Sequence, residues 1–172
     1  MPLLDPSVLR TGAGSGEGGF TLVELMVIIA IIGIFAAIAT LNFSQMNDKY
    51  RIESYTKEIH ALLMRARNDA ANTNTQRIVT LAANQVQVTN DNNGDSVVNA
   101  GDTTITTNYP RFVIQSAINP IIFDRRGIIN IVANQTLQII HPGNSAPGVD
   151  CIVVFATRIN IGRMTGGACV QQ

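Results

Sequence analysis

The chain has 172 residues, 46% of them hydrophobic, and its twelve basic residues equal its twelve acidic residues. This length allows one globular core, and a formal net charge of zero excludes a general electrostatic attraction to nucleic acid or acidic lipid. Any binding of that kind would have to be local.

The first 19 residues, MPLLDPSVLRTGAGSGEGG, are rich in Gly, Ser and Pro and show neither helical nor strand periodicity. They predict a flexible leader rather than a structural element. Gly14, Gly16 and Gly19 formally match the G-x-G-x-x-G pattern of dinucleotide-binding proteins. No strand precedes that pattern, so we reject a dinucleotide site.

Residues 20–41 form an apolar run in which Glu24 is the only charged residue. As a helix, a run of this length spans about 33 Å, which is enough to cross a bilayer. A carboxylate in hydrocarbon costs about 2.5 to 3.5 kcal/mol on insertion scales, so Glu24 predicts a functional group with a specific partner. Arg10 is the only basic residue before the run, which favours a cytoplasmic N-terminus and an exported C-terminal part.

After the apolar run, the pattern becomes one-sided and then shortens to that of strands. Between residues 52 and 70 apolar positions recur at three-and-four spacing, which predicts one helix from about residue 20 to 72, with Asn42 as the site where a break is allowed. Five or six segments rich in Ile, Val, Thr and Phe follow, separated by Asn, Gly and Pro. The predicted fold class is therefore α+β, with a long N-terminal helix packed on an antiparallel β-sheet.

The segment DNNGDSVVNAGD, residues 91–102, has oxygen-bearing side chains at the spacing of a calcium loop. The candidate ligands at places one, three, five, seven, nine and twelve are Asp91, Asn93, Asp95, Val97 through its carbonyl, Asn99 and Asp102. Against calcium, place six is Ser96 instead of Gly, and an Asp replaces the longer Glu at place twelve. A hairpin turn that needs no ion is an equally supported interpretation.

Cys151 and Cys169 are the only cysteines. In an oxidising compartment they predict a disulfide, which contributes about 3 kcal/mol in the chain-entropy model. His60 and His141 lie far apart and neither belongs to a nucleophile or zinc motif, so the sequence predicts no enzyme.

The string GGFTLVELMVIIAIIGIFAAIA, which begins at residue 18, resembles the processing site and N-terminal helix of type IV pilins and type II secretion pseudopilins. This resemblance implies that a prepilin peptidase in the membrane cuts after Gly19 and N-methylates Phe20, so that Glu24 becomes the fifth mature residue. It further implies that Glu24 pairs with the charged terminal amine of a neighbouring subunit, which neutralises two groups that are costly in a low dielectric.

Two later segments, NPIIFDRRGIINIVANQTLQII and CIVVFATRINIGRM, resemble the H-type pseudopilin and FimT/FimU minor pilin branch of that family. The resemblance implies a leader over residues 1–19, a transmembrane and assembly helix over 20–41, and an exported domain over 42–172. It places the protein in the bacterial inner membrane, with that domain in the periplasm, and implies assembly with other subunits into a type IV pilus or a type II secretion pseudopilus. The role requires no cofactor, and calcium is the one ion that the sequence suggests.

Three positions depart from the family pattern. Leu41 stands where a proline is common, so nothing forces a kink there, and Glu17 stands near the cut, where basic residues are usual. DNA-binding members end in Gly-Arg-x-Arg, but Thr165 occupies the place of the second Arg. The alternative function is a DNA-binding minor pilin for natural transformation, which would use Arg158, Gly162 and Arg163, with Arg126 as a further candidate. Solvated arginines at strand ends are the commoner explanation of these charges.

Overall fold

The computed structural model describes residues 19–110, 112–140 and 146–172, without the side chains of residues 38–44. Apart from Gly19, the expected leader lies outside the described residues. The chain divides into two units between Thr40 and Leu41, and the second unit contains every strand.

The first element, α1, is one α-helix of 52 residues, Leu22–Thr73. It has no interruption at Asn42, where the sequence allowed one, and it contains no proline. The helix ends because Asn74 adopts a left-handed backbone with φ 51°, and the N–H of Thr75 donates to the Ala70 carbonyl at 3.3 Å. This pattern is a common way to stop a helix and to satisfy its last carbonyl groups.

The second half of α1 buries the apolar stripe that its spacing predicted. Five side chains of the stripe are buried, with at most 3% of their surface exposed: Ile52, Ile59, Leu63, Ala66 and Ala70. Tyr55 and Leu62 are partly buried against the same core. The helical period was therefore sufficient to identify the buried face.

Within the described ranges, nine antiparallel strands form two sheets, whereas the sequence predicted five or six strands in one sheet. Sheet A has the order β3-β2-β1-β5 and sheet B has the order β4-β6-β7-β8-β9. The strands are β1 Arg77–Ala82, β2 Gln85–Asn90, β3 Thr103–Asn108, β4 Val113–Ser116, β5 Ile121–Phe123, β6 Gln135–Ile140, β7 Cys151–Val154, β8 Ile159–Thr165 and β9 Ala168–Gln171. Every strand pair is antiparallel.

Two tight turns explain why the sequence pattern predicts fewer strands than the structure contains. Ala82 pairs with Gln85, so two residues without Gly or Pro join β1 and β2, and the sequence pattern merged the two strands. Gly166 and Gly167 have positive φ values of 59° and 84° and turn the chain from β8 into the short, exposed β9. The last described strand is therefore β9, and Gly162 and Arg163 lie within β8.

One buried cluster joins α1 to the inner faces of both sheets, with Leu63, Phe123, Leu137 and Ile152 among its fully buried members. Its aromatic part is built on Tyr55, whose ring stands edge-on to Tyr109 at 5.1 Å and to Phe112 at 4.7 Å. Such edge-to-face pairs contribute stability beyond the area that they bury.

The turn after β5 has the sequence FDRRG from Phe123 to Gly127, a Phe-x-x-x-Gly motif, and it packs directly on α1. Gly127 has φ 74°, and a Cβ atom at this position would lie 2.8 Å from the Arg67 carbonyl oxygen. Both the left-handed backbone and the close approach require glycine. The motif therefore positions this turn against the helix, while Phe123 fills the core.

Candidate functional site

The two residues of the expected cut precede the helix and are exposed. Gly19 has open space where a side chain would lie, and the Phe20 side chain is 70% exposed. Thr21 then caps α1, because its hydroxyl oxygen accepts a hydrogen bond from the N–H of Glu24 at 3.2 Å.

Glu24 is exposed in the first turn of α1, three residues after its cap. Thr21 and Glu24 have the Ser/Thr-x-x-Glu spacing of a capping box, and a carboxylate in the first turn is stabilised by the helix dipole. Glu24 thus has a local structural role in addition to the assembly role that the resemblance implies. The Thr-x-x-Glu spacing of residues 21–24 is the sequence signal that predicts this cap.

From residue 20 to 37, large apolar side chains are exposed on all sides of the helix. Within this range Phe20, Ile29, Ile34 and Phe35 each expose more than 60% of their surface. Contiguous apolar surface of this kind marks a site of interaction with protein or membrane.

In the part of the chain that the structure describes, no helix is both long enough and apolar enough to cross a membrane. The expected span over residues 20–41 includes residues 38–41, whose side chains lie outside that part.

The acidic loop connects β2 to β3, and its carboxylates accept hydrogen bonds from its own backbone. Asp91 is buried and accepts from the N–H groups of Gly94 at 2.6 Å and Ser96 at 2.9 Å. Asp102 accepts from the N–H groups of Asn92 at 3.1 Å and Asn99 at 3.0 Å. These bonds fold the segment into a compact loop, as in the ion-free interpretation.

The same loop adopts a left-handed backbone at the place where a calcium loop usually has glycine. Ser96, at place six, has φ 64°. The substitution of Ser for Gly therefore leaves the sharp turn of the loop intact. Among the described residues, no three His, Cys, Asp or Glu side chains form a group that could hold a metal ion. Calcium binding stays a prediction.

Cys151 and Cys169 form a disulfide, as predicted, with their Cα atoms 6.0 Å apart. The bond ties β7 to β9 past the intervening strand β8, and it passes over Gly162. A Cβ atom on Gly162 would lie 2.4 Å from the Val170 carbonyl oxygen and 2.9 Å from the Cys169 sulfur. Gly162 is therefore required for packing, which gives it a role different from the DNA contact considered from sequence.

The arginines of the alternative function do not form one patch. Arg158 precedes β8 and Arg163 is near its end, so their Cα atoms lie about 17 Å apart along an extended strand. Arg158 stacks on the ring of Phe155 at 4.2 Å. Arg126 forms a salt bridge with Asp124 at 2.9 Å, which offsets its charge.

The histidines show no catalytic arrangement among the described residues. His60 is half-buried, and its Nε2 atom lies 3.0 Å from the Ile159 carbonyl oxygen, so it links α1 to the start of β8. His141 lies outside the described residues.

Two comparisons with known proteins found similarities. The model of the prokaryotic N-terminal methylation motif matches residues 14–40. The crystal structure of the type IV minor pilin FimU from Pseudomonas aeruginosa is similar to this chain, with a TM-score of 0.52 and 13% identity over 67% of this chain and 91% of that one. A second crystal form of FimU gives a TM-score of 0.49 and 14% identity over 63% and 90%. No curated protein sequence matches significantly.

The methylation motif over residues 14–40 and the FimU-like fold both agree with the type IV pilin resemblance seen in the sequence. The fold of this chain is similar to that of the minor pilin FimU. The likeness to FimU is one of fold, at 13% identity, and the methylation motif covers only the first part of α1 and the residues before it.

Proposed function

We propose that this protein is a minor structural subunit of a type IV pilus or of a type II secretion pseudopilus. A prepilin peptidase cuts it between Gly19 and Phe20, and the segment from residue 20 to 41 holds it in the inner membrane before assembly. In the filament the same segment packs against the helices of other subunits. Its Glu24 carboxylate then meets the terminal amine of a neighbour.

The observation that carries the proposal is the combination of a single carboxylate with an apolar surface exposed all round the helix. Within the described residues the Glu24 carboxylate has no hydrogen-bond or ion-pair partner, and the bond from Glu24 to Thr21 is made by the backbone N–H. A carboxylate that enters an apolar environment needs a cationic partner. The terminal amine that the cut would create is a cation located at the same end of the helix.

The first test is the mature N-terminus. Mass spectrometry of the protein from membranes should find a chain that begins at N-methylated Phe20. A chain that keeps the leader, or that begins elsewhere, would contradict the processing step.

The second test separates charge pairing from helix capping. Glu24→Gln removes the charge but keeps a residue that serves in a capping box, whereas Glu24→Ala removes both. We expect both variants to be absent from sheared filaments while the wild type is present. Thr21→Val is the matched control, because it removes the cap at a cost of about 1 kcal/mol and keeps the charge. Normal incorporation of Glu24→Gln would refute the pairing.

Calcium binding by the acidic loop is a separate proposal, supported by the left-handed backbone at Ser96. Titration of the full chain with calcium should raise its melting temperature, because an ion that binds only the folded state stabilises it. Asp95→Asn should abolish the rise, and Asn134→Asp, an exposed change elsewhere, should not. An unchanged melting temperature at millimolar calcium would remove the site.

The DNA-binding alternative has the weaker support, because its arginines are spread along β8 and Gly162 serves packing. Phosphate contacts make such binding strongest at low salt. The full chain in detergent should therefore not retard duplex DNA even at low ionic strength. Retardation that is lost in Arg163→Ala would restore this alternative.

A further inference from the structure

The strand β3 forms one edge of sheet A and pairs with β2 alone among the described strands. Its sequence, TTITTN, contains no charge, proline or glycine. Natural edge strands are usually protected against added strands by Lys, by Pro, by a bulge or by a covering element. This edge has none of those residues, and five of its six residues are exposed.

The hydrogen-bond pattern shows which residues of β3 can bind a further strand. Tyr109 follows β3, and its N–H donates to the Asn84 carbonyl at 2.7 Å, so this pair is a hydrogen-bonded one. Hydrogen-bonded pairs alternate along an antiparallel ladder. Thr103, Ile105 and Thr107 therefore bond to β2. The backbone groups that point to the free edge belong to Thr104, Thr106 and Asn108.

A groove of about 150 Å³ lies between this edge and α1. Its apolar lining comes from Leu62, Ala66 and Val88, and Ile105 forms the outer wall. Ile105 is 69% exposed, which is a large fraction for an apolar side chain on a strand. A strand added beside β3 would cover Ile105 and the apolar part of this groove.

We propose that the occupant is a second copy of this chain, whose β3 pairs antiparallel with the first about a two-fold axis at Ile105. This register bonds Thr104 of one copy to Thr106 of the other, and it brings the two Ile105 side chains face to face. No charged residue meets a like charge along the edge, because β3 has none. The inference is independent of the N-terminal motif and of the proposed function.

The helix flank beside the groove is also self-complementary. Arg65 and Asp69 both line the groove and lie about one helical turn apart. A two-fold axis reverses their order in the second copy, so each charge is directed towards its opposite. An unrelated extended peptide would gain the backbone bonds but would not be matched in this way.

Cysteine cross-linking of the full chain tests the register. In Ile105→Cys the two introduced Cα atoms lie about 4.5 Å apart, within the range of a disulfide. In Thr103→Cys, on the same face of the same strand, they lie about 14 Å apart. We expect mild oxidation to give a covalent dimer of Ile105→Cys and none of Thr103→Cys, with mass spectrometry identifying the linked peptides.

A second variant tests the backbone bonds. Thr106→Pro removes an N–H that points to the free edge and leaves the ladder to β2 intact, whereas Thr106→Val keeps the N–H. The covalent dimer should be lost in Ile105→Cys/Thr106→Pro and kept in Ile105→Cys/Thr106→Val. The proposal would be overturned if Ile105→Cys gave no covalent dimer or if Thr103→Cys gave as much dimer as Ile105→Cys. It would also be overturned if the dimer persisted in Ile105→Cys/Thr106→Pro, or if Ile105→Cys became linked to a different protein.

Discussion

The two halves of α1 show opposite uses of apolar side chains within one helix. From residue 20 to 37 these side chains are exposed on every side, and from residue 52 to 70 they form a single buried stripe. The second half finds its partners in its own chain, in the two sheets. The large apolar side chains of the first half, from Leu22 to Phe35, are exposed, so their surface is available to lipid or to another protein.

The largest expected effect is that of a matched pair of truncations, one in each half. Leu63→Ala should lower the free energy of unfolding by about 2 to 5 kcal/mol, because Leu63 is completely buried. Ile32→Ala, at a position that is 59% exposed, should change it by less than about 0.5 kcal/mol. Urea unfolding of the full chain in detergent measures both. Equal losses would show that the two halves do not differ in this way.

The disulfide sharpens the comparison, since only the second unit carries a covalent constraint. Replacing both Cys151 and Cys169 with Ala should lower the free energy of unfolding by about 3 kcal/mol. Thiol reduction of the wild type is the control and should give a similar loss. A double variant as stable as the oxidised protein would mean that the bond adds nothing to the fold.

The buried polar residue of the second half contrasts with Glu24 of the first. Thr56 is fully buried and its hydroxyl donates to the Ile52 carbonyl at 2.8 Å, so its partner lies in the same chain. Thr56→Val should lower the free energy of unfolding by about 1 kcal/mol without affecting assembly. Glu24→Gln should prevent incorporation into filaments and leave the free energy of unfolding unchanged. Both variants are compared by denaturation curves, which measure stability, and by their amounts in sheared filaments, which measure assembly.

The smallest effect concerns acid stability. Burial raises the pKa of Asp124, but hydrogen bonds from the N–H groups of Ile128 and Arg126 and from the Arg126 guanidinium outweigh it, so the pKa lies below its ordinary value. A lowered pKa stabilises the fold above the unfolded value of about 3.9, and this contribution is lost as pH falls below it. In Asp124→Asn, the free energy of unfolding should therefore fall slightly less steeply as the pH is lowered through this range. Arg125→Gln is the control, and its pH dependence should equal that of the wild type.

The sequence predicted those features that depend on local period or composition. The stripe from Ile52 to Ala70 follows from helical spacing, and the disulfide follows from two cysteines in an exported domain. The division into two sheets was not predictable in this way, because strand order depends on contacts between distant residues. The hairpin at Ala82–Gln85 was missed because its turn lacks Gly and Pro.

Only the parts of the candidate site that depend on a local motif were predictable from the sequence. Gly19, Phe20 and Glu24 were found because their motif is local, but the hydrogen bond that makes Thr21 a cap was not considered. The sequence places Gly162 in a basic motif and does not reveal its steric role. In the fold, a Cβ atom on Gly162 would lie 2.4 Å from the Val170 carbonyl oxygen in β9. Steric requirements of that kind arise only when strands meet.

The acidic loop offers a practical entry point for engineering. Asn90 at the end of β2 pairs directly with Thr103 at the start of β3. The β2–β3 ladder therefore keeps its register independently of the twelve residues that connect the two strands. The exposed middle of the loop, around Val97 and Val98, can accept an epitope or a fluorescent label while the strands hold their pairing. The protein could thus be followed by microscopy in living cells.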